Sequence, residues 1–374
     1  MLLVANVSRD LYNFRIGLMR ALKSEGFEVI AVAPEDNFSK RFIEEDIRFI
    51  PINLKRGGRN PLTELILILK LYEIYKKEKP SLVIHYTIKP NIYGNIASRL
   101  AKTKSISVVT GLGSLFVSKS VLQEMVSFLY RFSFKFCDRV FFLNSDDRNY
   151  FINRGIVQPE KTVLIKGEGI DTEYFSKEKC LNIPEEDNNI VFLLISRMIR
   201  DKGIWEFVES ARIVKRIYPS TNFWLLGPID KENPSGITIE TIRGWEEKGL
   251  VSYLGVADDV RPLICKSDVV VLPSYREGIP QSLLEAMSME KPIITTDSIG
   301  CRDVVEDGKN GFLVPVKNPE ALADAMIKMI EMTKEEREEM GKYGRNKVLR
   351  EFDEKIIIRV YLEEIGKILS FQED

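Results

Sequence analysis

The chain has 374 residues, of which 44 % are apolar and 29 % charged, with a net charge of −1. That length favours two domains, and the apolar content suffices for a buried core, which excludes disorder as the main state. The charge balance argues against a dedicated nucleic-acid binder, but it is uneven: residues 1–170 hold 26 Lys and Arg against 17 Asp and Glu, and the rest hold 28 against 38.

Leu2–Ala5 is the first short apolar run, followed by a helix-like stretch from Phe14 to Lys23. Phe27–Val32 and Phe49-Ile50 come next, then a periodic stretch with Leu62, Leu65, Ile66, Leu69 and Tyr72. Leu82–Ile84, Ile106–Val109, Val140–Leu143 and Val163–Ile165 complete the first set. Runs this short, rich in Val and Ile and apolar on both faces, read as buried parallel strands. Their alternation with amphipathic stretches implies a doubly wound α/β sheet. The polar stretch Ser176–Asn189 carries Pro184 and reads as a linker. Ile190–Ile195, Phe223–Leu226, Val269–Leu272 and Pro292–Thr295 then repeat the pattern, and helix formers run from Pro319 to about Leu369. The expected organisation is a Rossmann-like domain over 1–170, a linker over 171–189 and a second Rossmann-like domain over 190–352. A C-terminal helix over 353–374 can pack back on the first domain.

Cys137, Cys180, Cys265 and Cys301 show no metal-ligand spacing. They read as reduced structural cysteines of a cytosolic protein. The start MLLVANVSRD lacks the basic and apolar regions of a signal peptide, and no window reads as a membrane span. The single histidine, His85, limits any Ser-His-Asp triad or His-rich metal site.

Two such domains usually hold a ligand between them, at the carboxyl ends of strands. Arg197, Arg200 and Lys202 follow the strand Ile190–Ile195 and precede a helix from Ile204. Free N–H groups at a helix start and full positive charges both attract phosphate; a solvated basic loop is the other reading. Glu277 and Glu285 follow the strand Val269–Leu272, with Pro280 opening a helix between them. Six or so helical residues cover about 9 Å, roughly the span from the ribose to the sugar of a nucleotide-diphosphate sugar. An ordinary helix carboxylate plus a solvated Glu285 is the alternative.

Glu277-x7-Glu285 preceded by Arg197 and Lys202 resembles the donor site of retaining GT-B glycosyltransferases of family 4. GIDTEYF from Gly169, YLG from Tyr253 and DGKNGFLV from Asp307 extend the resemblance along the chain. It implies two Rossmann-like domains facing each other across a cleft. It also implies catalytic or donor-binding roles for Arg197 and Lys202 on the phosphates, Glu277 on the sugar and Glu285 on the ribose. Gly278, Ile279, Pro280 and Leu284 complete the implied donor site. HYTIKPN from His85 and VTGLGSLF from Val109 resemble bacterial capsule and lipid-linked oligosaccharide glycosyltransferases. With SFKF from Ser133 and ENPS from Glu232, the chain is similar to N-acetylgalactosaminyltransferases of bacterial protein N-glycosylation, which extend undecaprenyl-diphosphate-linked diacetylbacillosamine. The first loop, Asn6–Arg15, departs from the Gly-Gly pair of many relatives.

The resemblance therefore implies a UDP-sugar donor, best UDP-GalNAc, a polyprenyl-diphosphate-linked sugar acceptor, and a peripheral place on the inner face of the cytoplasmic membrane. Asn13, Arg15, His85, Lys89, Gly111 and Gly113 are the candidate acceptor-binding residues; a satisfied structural histidine is the other reading of His85. No D-x-D occurs, and Asp146-Asp147 and Asp258-Asp259 read as helix N-terminal carboxylates. No metal or other cofactor is expected, and Arg197 and Lys202 must supply the charge on the diphosphate. A UDP-sugar 2-epimerase and a non-catalytic nucleotide-sugar-binding protein are the alternatives. A nicotinamide dehydrogenase is disfavoured because no G-x-G-x-x-G follows the first strand of either half.

In Val121–Phe136, Leu122, Met125, Val126, Leu129, Phe132 and Phe136 form an expected core stripe. Phe128, Tyr130 and Phe134 exceed it, beside Lys119, Arg131 and Lys135. A buried helix and an interfacial one both fit; the basic half favours contact with an anionic membrane surface.

Overall fold

In the computed structural model, which describes residues 1–54, 60–112, 121–180, 189–231 and 233–370, the apolar runs form two parallel sheets. The chain divides into two compact units, Met1–Gly169 with Glu354–Asp374, and Ile170–Asp353. The first sheet contains β1 (Leu2–Val4), β2 (Ile30–Ala33), β3 (Arg48–Pro51), β4 (Leu82–Tyr86), β5 (Lys104–Val109), β6 (Arg139–Phe142) and β7 (Thr162–Leu164), in the order β3-β2-β1-β4-β5-β6-β7. Its helices are α1 (Ser8–Ser24), α2 (Ser39–Glu44), α3 (Pro61–Glu78), α4 (Asn95–Ala101), α5 (Val121–Ser133) and α6 (Ser145–Asn153). The second sheet contains β8 (Val191–Ile195), β9 (Asn222–Leu226), β10 (Ser252–Tyr253), β11 (Val269–Leu272), β12 (Ile293–Thr296) and β13 (Gly311–Val314), in the order β10-β9-β8-β11-β12-β13. Around it lie α7 (Ile204–Val214), α8 (Ile239–Glu247), α9 (Arg261–Lys266), α10 (Gln281–Ser288), α11 (Pro319–Glu331) and α12 (Lys334–Glu351). The last helix, α13 (Glu354–Ser370), belongs to the first unit.

Both strand orders run outward from their first strand and then restart on its other side. The reversals fall between β1 and β4 and between β8 and β11. At such a switch point neighbouring loops diverge to opposite faces and leave a crevice at the carboxyl ends of the strands. The pattern of burial explains why the strands were legible. Phe192, Leu194, Val269 and Val271 enter one core cluster and Leu193, Val270 and Leu272 another. Each central strand thus has both faces covered, and burying each large apolar side chain contributes about 1.5–3 kcal/mol.

β10 and β13 were not expected as strands. β10 has two residues, and β13 is an edge strand with Phe312 and Leu313 only half-buried, so neither makes a buried apolar run. The helical tract after Pro319 breaks into three. Thr333 Oγ1 accepts from Glu336 N at 3.2 Å while Glu336 Oε2 accepts from Thr333 N at 2.8 Å. This capping box starts a new helix where the previous one has ended. α13 packs within the first unit through the Phe141–Tyr361 stack at 4.6 Å and the Arg139–Glu364 ion pair at 2.8 Å.

The expected linker over 171–189 is corrected at its start, while residues 181–188 lie outside the described set. Asp171–Cys180 is part of the second unit. Thr172 Oγ1 donates to Asp353 Oδ2 at 2.6 Å, and Ser288 Oγ donates to Phe175 O at 2.6 Å. Two of the four expected free thiols are also corrected. Cys180 and Cys265 form a disulfide with their Cα atoms 5.3 Å apart, because the turn Lys177–Cys180 packs on α9. Eighty-five residues separate them in sequence, so no local spacing announced the pair. Cys137 and Cys301 are free and buried.

The stripe expected on Val121–Phe136 is rotated. Tyr130 and Phe134, taken as surplus, are buried against Phe151, whereas Met125 and Phe132 are exposed along with Phe128.

Candidate functional site

The loops after β8 and β11 flank the switch point of the second sheet. Ser196 N donates to Leu226 O at 3.0 Å, which carries the chain past the end of β8 and into Arg197. Arg200–Lys202 forms a single 3-10 turn, and Gly203 opens α7 at φ +72°. A Cβ on Gly203 would lie 2.1 Å from Pro273 O, so only glycine lets the two loops meet here. Tyr275 N then donates to Asp201 O at 2.9 Å, tying the loop after β11 to the loop after β8.

This contact brings together residues that sequence placed 75 apart: Lys202 Nζ donates to Glu277 Oε1 in a largely buried ion pair. Glu277 is further held by its N–H on Ile299 O at 2.9 Å. Arg197 Nη1 pairs with Asp230 Oδ2 at 2.8 Å. Pro280 stands at the cap position of α10, one residue before the first helical turn. Gly278 is buried, and its carbonyl closes on Gly300, which has φ +79°. Ile279 is half-buried against the core. Glu285 lies on α10, half-buried, and its carboxyl has no hydrogen-bond partner among the described residues. Burial pushes its carboxyl up to about 8. Leu284 is corrected: it is fully buried in the core, so its side chain supports α10 and does not line a ligand.

Sequence reasoning missed Asp230 and Tyr275. Pro228 and Ser235 clasp the Arg197 loop: Met198 N donates to Pro228 O at 2.9 Å and Arg200 N to Ser235 O at 2.8 Å. Asp230 also follows a strand of the second sheet, β9, and this position was the available signal. Tyr275 OH donates to Glu206 Oε1 at 2.6 Å, which fixes its ring beside the Arg200 turn. The arrangement offers Arg197 and Lys202 as charges for phosphate, each balanced in the free chain by a carboxylate. It offers Glu277 and Glu285 as acceptors for hydroxyl groups. Among the described residues no group of three or more His, Cys, Asp or Glu side chains is arranged to hold a metal ion.

The acceptor-side candidates fare differently. His85 is fully buried, with Nδ1 3.0 Å from Asn95 Oδ1 and Nε2 2.9 Å from Tyr75 OH. Asn95 Nδ2 donates to Ser107 Oγ, which leaves Oδ1 to accept, so Nδ1 carries the proton and Nε2 accepts from the tyrosine. Burial pushes its pKa down to about 3. His85 is therefore a neutral structural residue, and the acceptor-contact reading is corrected. Arg15 is likewise buried: it pairs with Glu168, donates to Asp10 O at 2.9 Å and lies 4.3 Å over the Tyr86 ring, so it holds the unit together rather than facing a ligand. Lys89 follows β4 but pairs with Glu64 at 2.6 Å, which balances its charge. Asn13 is exposed on α1. Gly111 follows β5 at φ +117°, and Gly113 lies outside the described residues.

The chain's one histidine makes the correction testable. Its single imidazole resonance should keep its neutral shift from pH 8 to pH 5, where an accessible histidine titrates near 6.5. The folded pKa is depressed, so the unfolded chain binds more protons between about 3 and 6.5, and stability should fall as the pH drops through that window. A titration midpoint near 6.5 contradicts the burial.

Family models agree with both halves. Residues 1–144 match the description "Glycosyl transferase 4-like" and residues 189–332 match "Glycosyl transferases group 1". A Campylobacter jejuni protein named N,N'-diacetylbacillosaminyl-diphospho-undecaprenol alpha-1,3-N-acetylgalactosaminyltransferase is 30 % identical, over 98 % of each chain. The chain belongs to this glycosyltransferase family. An Escherichia coli relative, named UDP-Gal:alpha-D-GlcNAc-diphosphoundecaprenol alpha-1,3-galactosyltransferase, is 26 % identical over 89 % of this chain and 87 % of its own. Among solved structures, Anabaena Alr3699/HepE in complex with UDP and glucose gives a TM-score of 0.80 at 19 % identity, covering 98 % of each chain. That likeness is one of fold, and the fold of this glycosyltransferase is GT-B.

Proposed function

We propose that this glycosyltransferase moves N-acetylgalactosamine from UDP-GalNAc to a sugar carried on undecaprenyl diphosphate, a step in protein N-glycosylation or related polysaccharide assembly. The observation that carries the reading is the pairing at the second switch point. Two cations suited to a diphosphate, Arg197 and Lys202, stand there with Glu277 and the unpartnered Glu285, suited to sugar and ribose hydroxyls. The names of the relatives support the acceptor class.

In the proposed reaction the acceptor hydroxyl oxygen attacks the anomeric carbon from the face that UDP leaves. The bond from that carbon to the β-phosphate oxygen breaks, its electron pair goes to the phosphate, and the hydroxyl proton follows to the same oxygen. Arg197 and Lys202 stabilise the charge that grows there, with the carboxylates of Asp230 and Glu277 released to the substrate or held at the edge of the clamp. Configuration is retained because attack and departure share one face.

The sequence has no D-x-D pair to hold a metal on the diphosphate. Activity should therefore survive EDTA; loss on chelation with recovery on Mg²⁺ or Mn²⁺ removes the two-cation clamp as the main electrostatic element. The reading as a whole is tested by proton NMR of the product. The anomeric coupling of the transferred sugar should match the α linkage of the donor. A β product excludes front-face transfer, and extension by a different hexose excludes UDP-GalNAc.

A further inference from the structure

Glu277 stands in Pro273–Pro280, a stretch with no helix or strand between β11 and α10, so its place depends on what grips that loop. Lys202 closes the 3-10 turn that leads into α7. Both side chains are long, and sugar transfer needs its reacting groups held to within about 0.5 Å.

Two contacts between these segments lie side by side. The Lys202–Glu277 ion pair is the first, and Tyr275 OH donating to Glu206 Oε1 at 2.6 Å is the second. Four helical residues rise about 6 Å, and two residues of chain span at most about 7 Å. Lys202 and Glu206 therefore match Glu277 and Tyr275 as two rungs, with the chain running forward through α7 and back along the loop.

The second rung is built to persist. Glu206 is the third residue of α7, where the free N–H groups of the helix start favour a carboxylate. Its Oε1 holds the phenol at a distance usual for a hydroxyl on a charged acceptor. Its Oε2 is buried without a partner, so the carboxylate has given up water for this contact. Burial and the Glu206 carboxylate push the phenol well above its ordinary value of 10, so the donated proton stays in place at neutral pH. The Tyr275 ring is also fixed by Lys317 Nζ, 4.9 Å from its centroid.

The first rung does not survive the reaction. When Lys202 turns to the diphosphate and Glu277 to the sugar, the pair that joined them parts. A tie from α7 to the loop is needed at that moment, when Glu277 must be held most closely. We infer that Tyr275 and Glu206 are positioning residues that keep the Glu277 loop in register with Lys202 while the donor is bound. The inference rests on the reading of Lys202 and Glu277 as donor-binding residues and goes beyond it in naming what holds them.

Tyr275→Phe keeps the ring, its cation contact and the first rung, so the free variant should melt as the wild type does. Its turnover should fall roughly tenfold to a hundredfold, with KM for the UDP-sugar changed by less than about twofold. Glu206→Ala should reproduce that loss, and Glu206→Gln, whose amide oxygen still accepts, should keep most of the wild-type rate. Tyr275→Phe combined with Glu206→Ala should be no slower than either alone. Wild-type turnover in Tyr275→Phe overturns the inference. So do losses that multiply in the double variant, which assign the two side chains to separate tasks. A loss of turnover matched by a lower melting temperature of the free protein marks a merely structural bond and overturns it too.

Hydrogen exchange with UDP bound supplies a readout that does not depend on transfer. The Tyr275 and Glu277 amides donate to Asp201 O and Ile299 O. With UDP bound they should exchange at least about tenfold faster in Tyr275→Phe than in the wild type, and alike in the two free proteins. A wild type that transfers no sugar yet shows this difference removes the proposed reaction and leaves the positioning pair. Equal exchange with UDP bound removes the pair and leaves the reaction.

Discussion

Arg197→Ala and Lys202→Ala should each lower turnover by roughly 10²–10³-fold, with a much smaller change in donor binding. The reason is where charge grows. Ground-state UDP-sugar already carries its diphosphate charge, but departure of UDP adds negative charge at the β-phosphate oxygen, and a cation beside it acts most strongly in the transition state. The free structure adds a second consequence. Lys202 balances the largely buried Glu277, so removing the lysine also leaves that carboxylate unpaired, and Lys202→Ala should destabilise the second unit as well. Arg197 is paired at a more exposed site with Asp230, so Arg197→Ala should act on rate with little loss of stability. Steady-state kinetics with thermal melts separates the two effects. Wild-type turnover in both variants removes the clamp.

Glu285→Gln should weaken UDP binding while stabilising the free protein. Burial raises this carboxyl from 4.5 to about 8, and no side chain compensates. Between those values the folded chain holds a proton that the unfolded chain has released. Stability is therefore lost as pH rises through that window, with the full cost present above pH 8 and none below 4.5. Glutamine removes that dependence, and the gain should be on the order of 2 kcal/mol at pH 8.5 and negligible at pH 4. UDP should bind the wild type more tightly as pH approaches 8, because ribose hydroxyls donate to the ionised form; the variant should lose roughly tenfold in affinity and show no such pH dependence. Equal affinity of both proteins from pH 6 to 9 excludes contact between Glu285 and the ribose.

The parts of the fold that could be read from sequence are those buried on both sides. Val269–Leu272 is fully buried and was delimited to the residue, whereas two-residue β10 and half-buried β13 left no apolar run. The loops that carry the residues proposed for the donor were legible for the same reason: they follow such strands, and the strand order puts both loops at one switch point. What failed was the direction of individual side chains. Leu284, Arg15 and His85 stand beside chemically plausible positions, yet packing turns all three inward. On Val121–Phe136 nearly every position is apolar, so periodicity could not choose the buried face, and Tyr130 and Phe134 took the place expected for Met125 and Phe132. Asp230 was missed because its partner, Arg197, is 33 residues away in sequence, and the two meet only where Pro228 and Ser235 bond to the Arg197 loop.

Release of UDP by the full chain, measured on UDP-GalNAc, UDP-Gal, UDP-GlcNAc and UDP-Glc with and without a polyprenyl-diphosphate-linked sugar, tests the central claim most directly. The account predicts release that requires the acceptor, is fastest from UDP-GalNAc, and matches the extended lipid-linked product one for one. Release at the same rate without acceptor, or none from any of the four donors, contradicts it.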